Sequence, residues 1–217
     1  PLLRSFCCPS RLVWPVTGPR SAAELATCSC SDSAAEGMLT RAKVSEADTG
    51  LGPGASGGVG GAVVQLAKRR GARVIAMASE AKHEAVAKLG PDRILPRAPE
   101  NLRAALGDEK ITVVGDVVGG PYWPTLIDVL ERGGRYTCSG AIAGPMVGLD
   151  LRTLYLRDLT FTGSTVIDLE VMPNLIRYIE AGDIQPALAA TYPLADLVAA
   201  QTAFIAKKHT GNIVVLP

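Results

Sequence analysis

The chain has 217 residues, 47% of them hydrophobic, enough for one sizeable core or for one domain with appendages. Lys and Arg number 22 against 21 Asp and Glu, a formal net charge of +1, without the basic excess or stripe of a nucleic-acid binder. Its apolar runs fall well short of the ~20 residues that span a bilayer, and residues 1–20 hold no unbroken apolar stretch like that of a secretory signal.

Residues 1–20 mix Pro, Ser, Arg and Cys without periodicity and are left unassigned; the chain opens on Pro1 rather than Met, as a fragment or processed product does. Residues 21–48 are expected to be a linker and a helix leading into the main domain. That helix covers 33–43, with Ser33 as its cap and Glu36 three residues on. A strand–helix alternation follows. A helix from Gly58 to Arg70 carries Val59, Val63 and Leu66 on one face and stops at Gly71; Arg73–Ala78 is a buried strand. Glu80–Leu89 is a helix ending at Gly90, and Arg93–Leu95 a short strand. Ile111–Val118 is an apolar strand, Pro124–Glu131 a helix closed by Gly133 and Gly134, and Arg135–Ser139 and Leu159–Thr162 are strands. Val171–Glu180 is a helix stopped by Gly182, residues 194–206 an amphipathic helix, and Ile213–Leu216 a terminal strand. Apolar strands alternating with helices predict an α/β fold: a doubly wound parallel sheet with helices on both faces and ligands at the carboxyl ends of the strands.

Gly57, Gly58 and Gly60 stand at the mouth of the first long helix, in Gly54-Ala55-Ser56-Gly57-Gly58-Val59-Gly60. A dinucleotide diphosphate needs a tight strand-to-helix turn, close backbone approach and a helix N-terminus aimed at it; glycine supplies the first two and the helix dipole the third. The alternative is a Gly-rich turn with a structural role only. No Lys follows the glycines, so the loop is not a P-loop. Of the five tyrosines, Tyr122, Tyr136, Tyr155, Tyr178 and Tyr192, none has Lys four residues on, which argues against a short-chain dehydrogenase.

The glycine loop followed by Val63-Val64-Gln65-Leu66-Ala67 resembles the medium-chain dehydrogenase/reductase superfamily, in the branch of zinc-binding alcohol dehydrogenases and quinone oxidoreductase-like proteins. Asp116-Val117-Val118-Gly119-Gly120, Gly133-Gly134-Arg135-Tyr136, Ser139 to Gly144 and the ending His209-Thr210-Gly211-Asn212-Ile213-Val214 fit it as well. The resemblance implies that 49–182 is a Rossmann dinucleotide-binding domain. It implies that 183–217 returns to an N-terminal catalytic domain, which is expected to be missing from this chain. It also implies an NAD(P)-dependent oxidoreductase moving hydride between nicotinamide and an alcohol, carbonyl or enone. The rival reading is a catalytically silent dinucleotide-binding or dimerisation module. Family members often dimerise through the strand near Thr160–Thr162.

Cofactor contacts are expected from Ser56, Gly57, Gly58, Val59 and Gly60 at the diphosphate. By resemblance, Val117 and Val118 would end a strand near the adenosine or ribose, and Ser139, Gly140 and Ala141 would lie near the nicotinamide. At the end of the second strand, Ser79 and Lys82 would hold a 2′-phosphate, so NADP is favoured and NAD is the alternative; Glu80 would oppose the phosphate if it pointed inward. Asn212 stands where the family often has Lys. Cys30 matches a family zinc-ligand position, but catalytic zinc needs three protein ligands, so this chain alone is expected to hold none. Catalytic residues are not assigned. His83 is expected on the surface, and His209 in a structural role rather than as a proton shuttle. The five cysteines, Cys7, Cys8, Cys28, Cys30 and Cys138, are an odd number without a disulfide-like spacing, so a reducing cytoplasm is expected. Two weaknesses are also expected. Gly50-Leu51-Gly52-Pro53-Gly54 replaces the apolar first strand of the family and should form poorly, as though residues 1–53 were degraded or misread. The terminal strand should lack a ladder partner and expose its edge.

Overall fold

The computed structural model describes residues 13–217. Two elements precede the sheet. α1 (Ala22–Thr27) and α2 (Ser33–Arg41) are joined through a π-helical turn, Cys28–Asp32, into one nearly continuous helix. The cap therefore lies earlier than expected. Ser21 accepts from the Glu24 amide while the Glu24 carboxylate accepts from the Ser21 amide, a complete capping box. Ser33, placed mid-helix, turns its hydroxyl back to the carbonyls of Ser29 and Cys30 instead.

The main sheet has six parallel strands in the order β3-β2-β1-β4-β5-β6: β1 (Thr49–Pro53), β2 (Arg73–Ala78), β3 (Arg93–Pro96), β4 (Ile111–Asp116), β5 (Leu130–Cys138) and β6 (Thr160–Gly163). α3 (Gly58–Arg69) follows β1, α4 (His83–Ala87) follows β2 after a short 3₁₀ turn, α5 (Leu102–Leu106) precedes β4, and α6 (Trp123–Asp128) precedes β5. α7 (Leu151–Leu156) leads into β6, and α8 (Val171–Ala181) follows it. Two apolar layers result. Met38 and Leu39 of α2, Val63 and Leu66 of α3, and Leu175 and Ile179 of α8 pack with Val74 and Ala76 on one face. Leu102, Leu106, Trp123 and Leu126 pack with Leu51, Ile75, Met77 and Val114 on the other. Alternate residues of β2 thus feed opposite layers, as both-sided burial of a parallel strand requires.

The first strand corrects the expectation that it would form poorly. β1 is central, pairing with β2 from Thr49↔Arg73 to Pro53↔Met77 and with β4 at Gly50↔Val113 and Leu51↔Val114. Neighbours on both sides and the buried Leu51 outweigh the roughly 0.5–1 kcal/mol that each interior glycine costs. Pro53 is tolerated because it is the last residue of the strand, where the chain already turns away. Smaller boundary shifts follow from local geometry. β4 ends at Asp116, so Val117 and Val118 lie in the turn beyond it rather than in the strand. The helix expected through Glu131 stops at Asp128, because Leu130 already pairs with Ile111.

Residues 183–217 build a β-α-β unit: β7 (Leu188–Pro193), α9 (Leu197–Ala206) and β8 (Asn212–Leu216), with β7 and β8 parallel. The terminal strand therefore has a ladder partner, contrary to expectation; β7, rich in Ala and Thr, gives no strong apolar signal. α9 is not amphipathic in place: only Ala200 is buried, and Val198 and Ile205 are exposed. Among the described residues no helix is long and apolar enough to cross a membrane.

Asp48 clamps the amino-terminal edge of the sheet. Its carboxylate accepts from the Ser45 amide at 2.9 Å and the Thr112 hydroxyl at 2.7 Å, and it pairs with Arg135, whose guanidinium also reaches the Ala42 carbonyl. Burial opposes its charge, yet these donors outweigh burial and hold the carboxyl below its ordinary 3.8. A depressed folded-state value stabilises the fold above the unfolded value and is lost as pH falls through the folded one. Asp48→Asn is expected to cost about 1–3 kcal/mol in denaturant unfolding at pH 7. The gap between variant and parent should narrow on acidification below 3.8.

Candidate functional site

The strand order reverses between β1 and β4, and a cleft of about 1120 Å³ opens at their carboxyl ends. Its floor is the turn from β1 into α3. Gly54 has φ +71°, and the Gly57 amide closes a turn onto the Gly54 carbonyl at 3.0 Å. Gly60, one turn into the helix, packs directly on that peptide: a Cβ there would stand 2.7 Å from the Gly54 carbonyl carbon. A Cβ on Gly58 would collide with Ser31 and Asn212 side chains. Gly57 at the N-cap has no side chain to cap the helix, so the amides of Gly58, Val59 and Gly60, the first turn of a twelve-residue helix, face the cleft with the positive end of its dipole. Bare backbone and free donors in a concave wall fit a dinucleotide diphosphate.

Asp116 organises the next wall. It is fully buried, and its carboxylate accepts from the amides of Val118 at 2.7 Å and Gly119 at 3.1 Å and from the Tyr136 hydroxyl at 2.9 Å. Burial first, and then the Asp116 charge, raise the Tyr136 hydroxyl far above the usual phenol range, so it stays a donor. The pinned turn leans Val118 against Gly54, leaving 2.9 Å to a Cβ built there, and accepts the Ala143 amide on the Val118 carbonyl at 2.8 Å. The turn after β4 and the loop after β5 are thus one wall.

All twelve residues proposed from the sequence as cofactor contacts line this cleft: Ser56 through Gly60 on the floor, Ser79 and Lys82 after β2, Val117 and Val118 after β4, and Ser139, Gly140 and Ala141 after β5. Glu80 is exposed and does not line it. Sequence reasoning missed Arg97 after β3, although the carboxyl end of that strand was a place to look. It also missed Ser31, Phe204 and Lys207, and set His209 aside; these too line the cleft. The His209 ring nitrogen Nδ1 is enclosed without a partner, and burial together with Lys82 and Lys207 lowers its basicity. Burial, Lys207 and Arg97 lower that of Lys82.

The described residues do not fit a zinc centre. No group of three His, Cys, Asp or Glu among them is placed to hold a metal ion. Cys30 is exposed and lies outside the cleft, and burial pushes the neighbouring Cys28 thiol up to about 12, far from the thiolate a metal takes.

Comparison with known proteins agrees with this geometry. An acryloyl-coenzyme A reductase of Metallosphaera sedula is 30% identical over 161 residues, covering 73% of this chain and 48% of its own length. An NADPH-dependent alkenal/one oxidoreductase, chloroplastic, of Arabidopsis thaliana is 30% identical over 190 residues, covering 86% and 45%. A crystal structure from Sinorhizobium meliloti 1021, assigned as an alcohol dehydrogenase, superposes with a TM-score of 0.92 at 42% identity, covering 97% of this chain and 59% of that one. The chain spans about half the length of the curated relatives it matches. The sequence profile described as zinc-binding dehydrogenase matches residues 58–181, and the chain belongs to that family.

Proposed function

We propose that the chain is the NADP-binding part of an oxidoreductase that moves hydride between nicotinamide and an alcohol, carbonyl or enone. The observation that carries this reading is the uncapped, side-chain-free N-terminus of α3 opening into the cleft at the sheet's reversal point. The first-turn amides of α3 bind the diphosphate. Ser79, Lys82 and Arg97 receive the 2′-phosphate, since each lines the end of the cleft beyond β2 and β3 while Glu80 does not. Val117 and Val118 shield the sugars from water, and Ser139 to Ala141 shape the far end. The bound nicotinamide supplies the hydride-carrying carbon, and this chain's residues bind and orient it. Of the two named relatives above, one is an acryloyl-coenzyme A reductase and the other an alkenal/one oxidoreductase, which favours an activated alkene as substrate.

Two further parts of the reading concern assembly and setting. β6 lies at the sheet edge, and among the described residues no strand pairs with its outer side, which supports pairing with β6 of a second copy near Thr160–Thr162. Free thiols at Cys28, Cys30 and Cys138 accord with a reducing cytoplasm. The division of the chain, with 49–182 as the cofactor domain and 183–217 as a segment serving a catalytic domain, belongs to the same proposal.

Calorimetry on the full chain is expected to show NADPH binding about tenfold or more tighter than NADH. A preference for NADH overturns the choice of NADP, and no heat with either nucleotide on a folded sample overturns the whole reading. Gly60→Ala should abolish binding and cost about 2 kcal/mol in unfolding, since the methyl must displace backbone. NADPH oxidation with a simple enone or quinone tests turnover; binding without turnover favours the silent module. Sedimentation equilibrium should give a dimer, and a monomer overturns the β6 pairing.

A further inference from the structure

The segment from Lys207 to Gly211, between α9 and β8, crosses one side of the cleft as a strap, and its two ends are tied to different parts of the Rossmann sheet. At one end, the Lys82 ammonium donates to the Lys207 carbonyl at 2.7 Å and to the His209 carbonyl at 2.6 Å. At the other, the Gly211 amide donates to the Ser56 carbonyl at 3.0 Å, Gly211 bridges Gly57, and the Ser31 hydroxyl reaches Asn212 at 2.9 Å. The strap thus runs from the end of β2 to the mouth of α3. Sequence separation makes Lys82 the informative tie: it joins residues 125 and 127 positions apart.

An ammonium has three donors, and two are spent on strap carbonyls. The third is left for the cleft, which Lys82 lines together with Arg97 and Lys207. Among the described residues, no carboxylate lies within ion-pair distance of any of these three cations; elsewhere Lys68, Arg69, Arg70 and Arg73 all have one. Lys207 instead places its ammonium 3.4 Å above the Phe204 ring. Three cations with no anion of their own, one of them already fixed to the strap, leave a place for a charge that the protein does not provide.

We propose that Lys82 is a positioning residue that latches the 207–211 strap over the cleft, and that its remaining donor is shared with a phosphate monoester. Filling that end of the cleft and ordering the strap then become one equilibrium. The latch stands on the observed hydrogen bonds alone, whereas its coupling to a ligand rests on the nucleotide reading above. The coupling gives discrimination between phosphorylated and unphosphorylated adenosine a structural readout far from the phosphate, at the amides of Gly211 and Asn212. Those amides have backbone acceptors of their own, Ser56 and Ala187, so their exchange reports strap opening rather than a lost donor.

Amide hydrogen exchange on the full chain tests both halves. In the free chain, Lys82→Met should speed exchange at Gly211 and Asn212 about tenfold while the β2 amides of Val74–Ala78 stay as protected as in the parent. Lys82→Arg, which keeps a charged donor, should restore most of the protection, and Lys88→Met on the exposed face of the same region should change nothing. NADP⁺ should slow exchange at the two strap amides more than NAD⁺ at equal saturation, and that difference should vanish in Lys82→Met. If Lys82→Met does not fold, Lys82→Gln is measured in its place with the same expectation. Unchanged strap exchange in folded Lys82→Met or Lys82→Gln overturns the latch. Equal protection by NADP⁺ and NAD⁺, both bound, overturns the coupling. If neither nucleotide binds, the nucleotide reading and the coupling fall together, and the free-chain comparison still decides the latch.

Discussion

The structure depends on the approach of the first turn of α3 to the peptide that ends β1. Gly60 sits against the Gly54 carbonyl with no room for a side chain, and Gly54 holds a positive φ that a residue with a Cβ adopts at a cost. This contact fixes the angle between helix and strand, which aims the first-turn amides across the carboxyl end of the sheet. Everything else in the cleft is measured from that line: Val118 rests on Gly54, the loop after β5 hangs from the Val118 carbonyl, and the strap meets the loop at Ser56 and Gly57.

Two buried carboxylates hold the frame around that contact from opposite ends of the sheet. Asp48, at the amino-terminal edge, ties the α2–β1 connection to β4 and β5 through Thr112 and Arg135. Asp116, at the carboxyl end of β4, ties the next turn to β5 through Tyr136. Their partners differ, and so does their electrostatics. Asp48 has a guanidinium, whereas Asp116 is met by backbone amides and a phenol, all of them neutral donors. The cations that line the cleft lie on the other side of β1, beyond β2 and β3, so the floor separates an acidic support from a basic rim.

Much of this was legible in the sequence, and the unread parts have physical causes. The helix stops were readable because glycine marks them: Gly71, Gly90 and Gly182 all have positive φ where the periodicity ends. β2 and β4 were readable because both-sided burial produces short apolar runs, Val-Ile-Ala-Met-Ala in β2 and Ile-Thr-Val-Val in β4. β1 was misjudged because its stability lies in its two neighbours, which no local pattern records; glycine and proline there describe the turn that follows. β7 escaped because an alternating run of Ala, Thr and Tyr is half-exposed, and α5 and α7, five and six residues long, are too short for a helical period to show. The sequence points to a cap at Ser33 because the π-helical turn that carries the chain from α1 into α2 leaves no sequence signature.

The same reasoning explains why the cleft's walls were read from the sequence and its rim was not. Floor and walls come from loops that directly follow strands, so the fold rule places Ser56 to Gly60, Val117, Val118 and Ser139 to Ala141 together once the strands are known. The rim is assembled across the chain: Lys82 meets Lys207 and His209 only because β7, α9 and β8 fold back beside the sheet. A net charge of +1 gives no hint of it, because among the described residues most cations elsewhere are matched by carboxylates and the three at the cleft are not. Local imbalance inside a neutral total is what an anion-binding rim requires. A globally basic surface would attract polyanions indiscriminately, whereas three unpaired cations on one edge of a concave site act on the ligand the cleft admits.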